Sequence, residues 1–168
     1  SESDNNRNLE YPILDERIAA TYASASKARL AKSLYDPYVR AIRWATDRIE
    51  QRGVIGIITN NSFIDGNALD GVRATLCSDF TAMYVFNLRG NQRTQGETSR
   101  MEGGKIFGSG SRVGVAISLF IKNPDKRAKG RCQLYYHDIG DYLDREKKLS
   151  ILRSMESVSG LERENCWK

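Results

Sequence analysis

Gly53-Val54-Ile55-Gly56-Ile57-Ile58-Thr59-Asn60-Asn61-Ser62-Phe63 is the stretch that decides the architecture. Val54 to Thr59 is a β-branched run with no alternation of apolar and polar residues. That is the pattern of a strand covered on both faces, so it belongs inside an α/β sheet. Asn60-Asn61-Ser62 then stands at the carboxyl end of the strand, where open α/β sheets place ligands. Upstream, Asp36-Pro37 predicts a helix start, because proline in the first turn forfeits an N–H that has no partner there anyway. Tyr38, Ala41, Ile42, Ala45 and Ile49 form one apolar face of this helix. Arg40, Arg43, Asp47 and Glu50 lie away from it, and Gly53 marks the stop. A further helix is predicted from about Leu14 to Ala25.

Downstream, Asp65-Gly66-Asn67 introduces a helix carrying Leu69, Val72 and Leu76 on one side. Met83 to Phe86 and Val113 to Ile121 read as strands, with a glycine-rich basic segment between them. Asn123-Pro124-Asp125 ends the second of these strands, and Lys126 to Lys129 is a charged turn. Cys132 to Tyr136 is a short strand candidate. Leu143, Lys147, Ile151 and Met155 lie on a helix predicted between Asp141 and Met155. The order helix, strand, helix, strand, long loop, strand describes half of a doubly wound α/β domain.

The chain has 168 residues, 40% of them apolar and 28% charged, which suits one globular domain with a core of its own. Its longest apolar runs are far short of the roughly 20 residues a bilayer span needs, which excludes a membrane-spanning protein. Ser1 to Glu10 lacks the basic start and apolar stretch of a secretory signal and reads as solvated loop. Cys77, Cys132 and Cys166 are widely spaced, with no Cys-x-x-Cys, so a reducing compartment fits and the chain is expected in the cytoplasm. With His137 as the single histidine, no metal site is expected. The net charge of +5 is compatible with a nucleic-acid partner. Its distribution says more: from Leu88 to Arg112 there are five basic side chains, Arg89, Arg93, Arg100, Lys105 and Arg112, against Glu97 and Glu102, with six of the 14 glycines.

Self-contained catalysis finds little support. The chain has no phosphate-binding Gly-x-x-x-x-Gly-Lys loop, no Gly-x-Ser-x-Gly elbow and no His-Glu-x-x-His helix. His137 reads as a strand-end residue, and Asp65 and Asp70 as helix caps. Phe107-Gly108-Ser109-Gly110-Ser111 looks like a nucleotide-binding loop but precedes a strand instead of following one, so no helix N-terminus backs it. What stands out is a strand ending in Asn-Asn-Ser-Phe together with a mobile, basic, glycine-rich loop that delivers an aromatic ring. Base chemistry needs such parts, since a base drawn out of a duplex must be stacked on a ring while Arg and Lys hold the phosphates.

Gly53 to Phe63, Val72-Arg73-Ala74-Thr75-Leu76, and Ile106-Phe107 leading into Val113 to Ile121 resemble the later half of gamma-type amino DNA adenine methyltransferases. The strings Asn87-Leu88-Arg89-Gly90-Asn91-Gln92-Arg93-Thr94 and Glu102-Gly103-Gly104-Lys105-Ile106-Phe107-Gly108-Ser109-Gly110-Ser111-Arg112 resemble the methyltransferase region of the single-polypeptide Type ISP restriction-modification enzymes. Tyr11-Pro12-Ile13-Leu14-Asp15 and Ser33-Leu34-Tyr35-Asp36 do so too, and the likeness covers Asp4 to about Leu149. Two family features are absent: the early glycine loop for S-adenosylmethionine and the Asn/Asp-Pro-Pro-Tyr/Phe motif. Asp36-Pro37-Tyr38 lacks the second proline and begins a helix, so it is no substitute. The family motif would end a little upstream of Asp4-Asn5-Asn6.

The resemblance implies the C-terminal half of a Rossmann-like methyltransferase domain, a mixed sheet with flanking helices over residues 1–125. Residues 126–168 extend toward a target-recognition domain. It implies N6-adenine methylation of double-stranded DNA, with S-adenosylmethionine bound by the parent protein, no cofactor held by this segment alone, and the parent's other domains as partners. Phe107 takes the place of the ring that stacks on the extruded adenine, or else packs in the core. Asn60 and Asn61 line the pocket, or else form a turn. Arg89, Arg93, Arg100, Lys105 and Arg112 meet DNA, or else decorate a solvated loop. Two other readings stay open: a non-enzymatic DNA-binding or docking module, and a structural fragment that self-associates through an exposed sheet edge.

Overall fold

The computed structural model describes residues 10–28, 32–108, 111–126, 132–155, 157, 158, 163 and 164. The expectations for 1–9, for Ser109-Gly110, for most of the charged turn after Lys126 and for Cys166 lie outside these residues. Helix α1, Pro12–Ile18, runs on into a wider π-helical turn, Ala19–Ala23. Helix α2 is Pro37–Thr46, β1 Gly53–Asn60, α3 Asp70–Asp79 and β2 Ala82–Arg89. There follow α4 Gly96–Glu102, β3 Val115–Lys122, β4 Gln133–Asp138, α5 Arg145–Ser154 and the short β5 Arg163–Glu164. No helix among the described residues is long and apolar enough to cross a membrane.

The strands form one sheet in the order β1-β3-β2-β4-β5. β3 is antiparallel to both neighbours, β2 and β4 are parallel, and β5 is antiparallel to β4. This is a mixed, Rossmann-like α/β sheet with flanking helices, as the residues suggested. β1, β2 and β4 therefore run the same way and present their carboxyl ends together. The break expected at residues 125 and 126 falls between two strands of this one sheet.

One face of the sheet packs Ile55, Met83, Val85, Ala116 and Phe120 against Tyr22, Ile42, Val72 and Leu76 of the helices. The rings of Phe80 and Phe120 meet at 5.4 Å between centroids. Each of the Val, Ile, Leu, Met and Phe side chains among them contributes roughly 1.5–3 kcal/mol by leaving water. Among the described residues the opposite face is covered toward the carboxyl ends, where Phe86, Leu88, Ile106, Val115 and Ile139 pack with Ile151 and Leu152 of α5 and with Met155 at its end.

Three expectations are corrected. β1 is an edge strand and not a doubly covered central one: Val54 and Ile58 are 61% and 58% exposed. Its β-branched run shows that both faces are apolar, which does not determine whether both are covered. Helix α2 ends at Thr46, well before Gly53, because the backbone tightens there to Arg48 N–H bonding Ala45 O and Ile49 N–H bonding Thr46 O. Gly53 opens the strand and packs on Ile49. Arg43, placed on the polar face by spacing, is buried, with its guanidinium 2.7 Å from Asp47 and 2.9 Å from Asp79 and over the ring of Tyr22. Ion pairing in the core overrides the polar-outside rule.

Helix α3 is tied to the first helical segment by Asp70, whose carboxylate accepts from Ser26 Oγ and, at 2.8 Å, from Lys27 N. The Ser26 hydrogen bond is the main cause holding this carboxyl below its usual range. The next residue, Gly71, lies so close to this segment that a Cβ would overlap the Tyr22 carbonyl oxygen and come within 2.8 Å of Ser26 N. Gly71→Ala is expected to cost about 1–3 kcal/mol of stability by overpacking, read as a lower urea midpoint.

Candidate functional site

Asn60 and Asn61 end β1 in different ways. The Asn60 side chain accepts from Ser62 N at 2.8 Å and Ser62 Oγ at 2.7 Å, which opens the 3-10 turn Asn61–Phe63. Asn61 reaches sideways instead. Its Nδ2 donates to Asn87 Oδ1 at 2.9 Å at the end of β2, and its backbone N–H donates to Gly114 O. Gly114 leaves room for that amide, since a Cβ there would stand 2.6 Å from Asn61 Oδ1.

From Asn87 the polar chain continues to β4. Asn87 Nδ2 donates to Asp138 Oδ2 and to the Tyr136 hydroxyl, both at 3.3 Å, while Tyr136 donates to Asp138 at 3.1 Å. Burial is the largest cause pushing the Tyr136 hydroxyl up to about 12, so it stays a donor. Arg89 closes the arrangement. Its Nε donates to Asp138 at 2.6 Å and its Nη1 to Asp141, and its N–H bonds Asn87 Oδ1 at 3.0 Å. These contacts hold Arg89 at φ 54°, in the left-handed region, where the pairing of β2 with β3 shifts register. Amides, a carboxylate, a phenol and a guanidinium are thus joined across the ends of three parallel strands. The set can orient a polar ligand by hydrogen bonding, and its groups are largely engaged with one another.

The described part of the basic insert between β2 and β3 is folded, where its glycines suggested an open loop. It contains α4, and Asn91 N bonds Glu102 Oε2 at 2.8 Å while Gln92 N bonds Arg112 O at 2.8 Å. Behind α4 the chain is pinned to the segment after β4: Gly104 N donates to Leu143 O at 2.8 Å, and Tyr142 N donates to Met101 O at 3.1 Å. Gly103 is at φ 67° with its Cα against Leu143 O, a position closed to any side chain. Ile106 is buried beneath the strand ends with Leu88 and Val115. Phe107, the next residue, is 51% exposed. Arg93, Arg100 and Arg112 are exposed, and Lys105 is half-buried.

The structure puts Asn60 in a turn with Ser62 and joins Asn61 to Asn87, Tyr136 and Asp138, three residues that sequence reasoning missed. Asn87 follows the predicted strand Met83 to Phe86 as Asn60 follows Thr59, which was a usable signal. Sequence reasoning also missed Lys148, which is fully buried in α5 and donates to Glu102 O at 2.7 Å and Gly104 O at 2.9 Å. Lys147, on the stripe that the sequence suggests for α5, is exposed. The spacing 148, 151, 152, 155 is the helical period, and Lys148 belongs to it. Burial is the largest cause pushing its ammonium down to about 8.

No protein-family model and no curated protein matches the chain. Solved structures do. A nuclease-deletion mutant of the Type ISP restriction-modification enzyme LlaGI, in complex with a DNA substrate mimic, is 49% identical with a TM-score of 0.89 over 98% of this chain and 16% of that one. The DrdV–DNA complex solved by cryoEM is 37% identical, with a TM-score of 0.85 over 98% of this chain and 15% of that one. The ATP-dependent Type ISP restriction-modification enzyme LlaBIII bound to DNA is 37% identical, with a TM-score of 0.86 over 97% of this chain and 11% of that one. The chain thus spans about a sixth or less of the length of these relatives. Over nearly all of its own residues, it is similar in sequence and fold to one segment of the DNA-bound Type ISP restriction-modification enzymes.

Proposed function

We propose that this chain is the later half of the adenine-specific DNA methyltransferase domain of a Type ISP restriction-modification enzyme. In this reading it stacks the extruded adenine and holds the duplex. The observation that carries the reading is Phe107: a half-exposed ring on a basic insert anchored beside the carboxyl ends of parallel strands, in a chain 49% identical to part of an enzyme solved with a DNA mimic. Residues from about 126 onward add β4 to the same sheet and α5 to its face before leading toward a target-recognition domain.

S-adenosylmethionine supplies the methyl group in the parent enzyme. The residues here do not fit a complete pocket for it, because Asn60, Asn61, Asn87 and Asp138 already engage one another or Ser62 and Arg89. This chain's own work is positioning. Phe107 holds the base by a stacking contact of about 1–3 kcal/mol, and Asn60 and Asn61 border the pocket. Transfer to an exocyclic amine needs no side-chain nucleophile, so fixing the base accounts for much of the acceleration. Arg89 is held by Asp138 and Asp141. It therefore shapes the strand ends, and Arg93 and Lys105 meet phosphates and base edges together with Arg100 and Arg112, whose exposed guanidiniums also contact Glu97 and Gln92 O.

The test compares two kinds of variant in the full-length enzyme. Arg93→Ala and Lys105→Ala are each expected to weaken DNA binding and to reduce the slope of log affinity against log salt by about 1, measured by fluorescence anisotropy. Phe107→Ala is expected to spare affinity and slow transfer. Equal loss of binding and transfer in all three would favour a non-enzymatic DNA-binding or docking module.

A further inference from the structure

We propose that Arg145 and Lys148 of α5 are positioning residues for Phe107, fixing the path of the chain into the ring from the far side of the insert. The inference rests on the reading of Phe107 as the stacking ring. Its basis is a regular set of contacts. Lys148 Nζ donates to Glu102 O and Gly104 O at 2.7 and 2.9 Å, and Arg145 Nε donates to Ile106 O at 2.9 Å. Every second carbonyl from 102 to 106 is therefore gripped by a side chain of one helix, and the last grip is one residue before Phe107. Arg145 and Lys148 are three apart on α5 and so share a face.

Packing alone does not account for Lys148. It sits in an apolar stripe with Ile151, Leu152 and Met155, where a leucine or methionine would fill the space without taking an ammonium out of water. What an apolar residue could not do is satisfy two carbonyls, one of them at the end of α4. Arg145 is different in kind. Its side chain is half exposed, yet its Nε turns inward to Ile106 O while Nη1 pairs with Glu146. With Ile106 buried and Phe107 exposed, the chain passes from core to surface at the point Arg145 holds.

The test uses the full-length enzyme with Arg145→Ala, Arg145→Lys and Lys148→Met, beside Phe107→Ala. Hydrogen exchange is followed in peptides covering 102–108 and, as reference, 115–122, together with methyl incorporation into unmethylated plasmid DNA and the affinity for that DNA. Arg145→Ala and Lys148→Met are expected to speed exchange at 102–108 and leave 115–122 unchanged. Both should lower kcat for transfer by between about ten- and a hundredfold at unchanged DNA affinity, with Arg145→Lys recovering part of the loss. Normal exchange at 102–108, or loosened exchange with normal transfer, overturns the inference while Phe107→Ala still reports on stacking. If Phe107→Ala leaves transfer intact, the stacking reading fails and this inference fails with it. Should Lys148→Met unfold, as faster exchange at 115–122 would reveal, the Arg145 pair decides the question.

Discussion

Phe107→Ala in the full-length enzyme is expected, on the proposed stacking role, to lower methyl transfer by about five- to 150-fold, the range that a stacking contact of about 1–3 kcal/mol supplies. The ring projects from an anchored stretch, with Ile106 carrying the local packing, so its removal leaves the core intact and the unfolding midpoint close to that of the parent. Phe107→Tyr and Phe107→Trp keep an aromatic face and are expected to retain most of the activity. A radiolabelled methyl assay run beside equilibrium DNA binding separates the effects. Undiminished transfer by the alanine variant would remove the ring from the reaction.

The largest stability effect is expected at Arg43. Its side chain is 4% exposed and bridges Asp79 and Asp47, while Asp47 also pairs with Arg17 at 2.9 Å. Burial works against ionisation of Asp47, but the two arginines outweigh it and hold the carboxyl below its usual range. Arg43→Ala leaves both carboxylates short of a cation and opens a void beside Tyr22. Breaking a buried pair costs about 3–5 kcal/mol, and the partial exposure of both carboxylates puts this variant near the lower end, at about 3 kcal/mol. Urea denaturation at neutral pH measures it. The contribution of Asp47 is present above its ordinary pKa and is lost as pH falls through the depressed one, so the gap between variant and parent should narrow in acid.

Local signals in the sequence carried much of this fold. Pro37, the β-branched run from Val54 and the apolar faces of α3 and α5 placed elements close to where they lie, because each depends on neighbours within a few residues. What depends on distant partners was not legible. Val54 and Ile58 look like core residues, and only the strand order shows them on an edge. Arg43 looks like a surface residue until Asp79 arrives from another helix. The Asn61–Asn87–Asp138 chain joins residues on three strands, and no spacing along one segment announces it. Glycines 90, 96, 103 and 104 suggested freedom, whereas Gly103 and Gly104 are present because Leu143 and Arg145 press directly on them.

That contact sets a rule for building chimaeras. Grafting a foreign recognition module just after residue 126 would strip β2 of its parallel neighbour and leave two glycines facing an unrelated surface. A workable junction falls beyond α5, so that donor and acceptor exchange the helix and the insert as a matched pair.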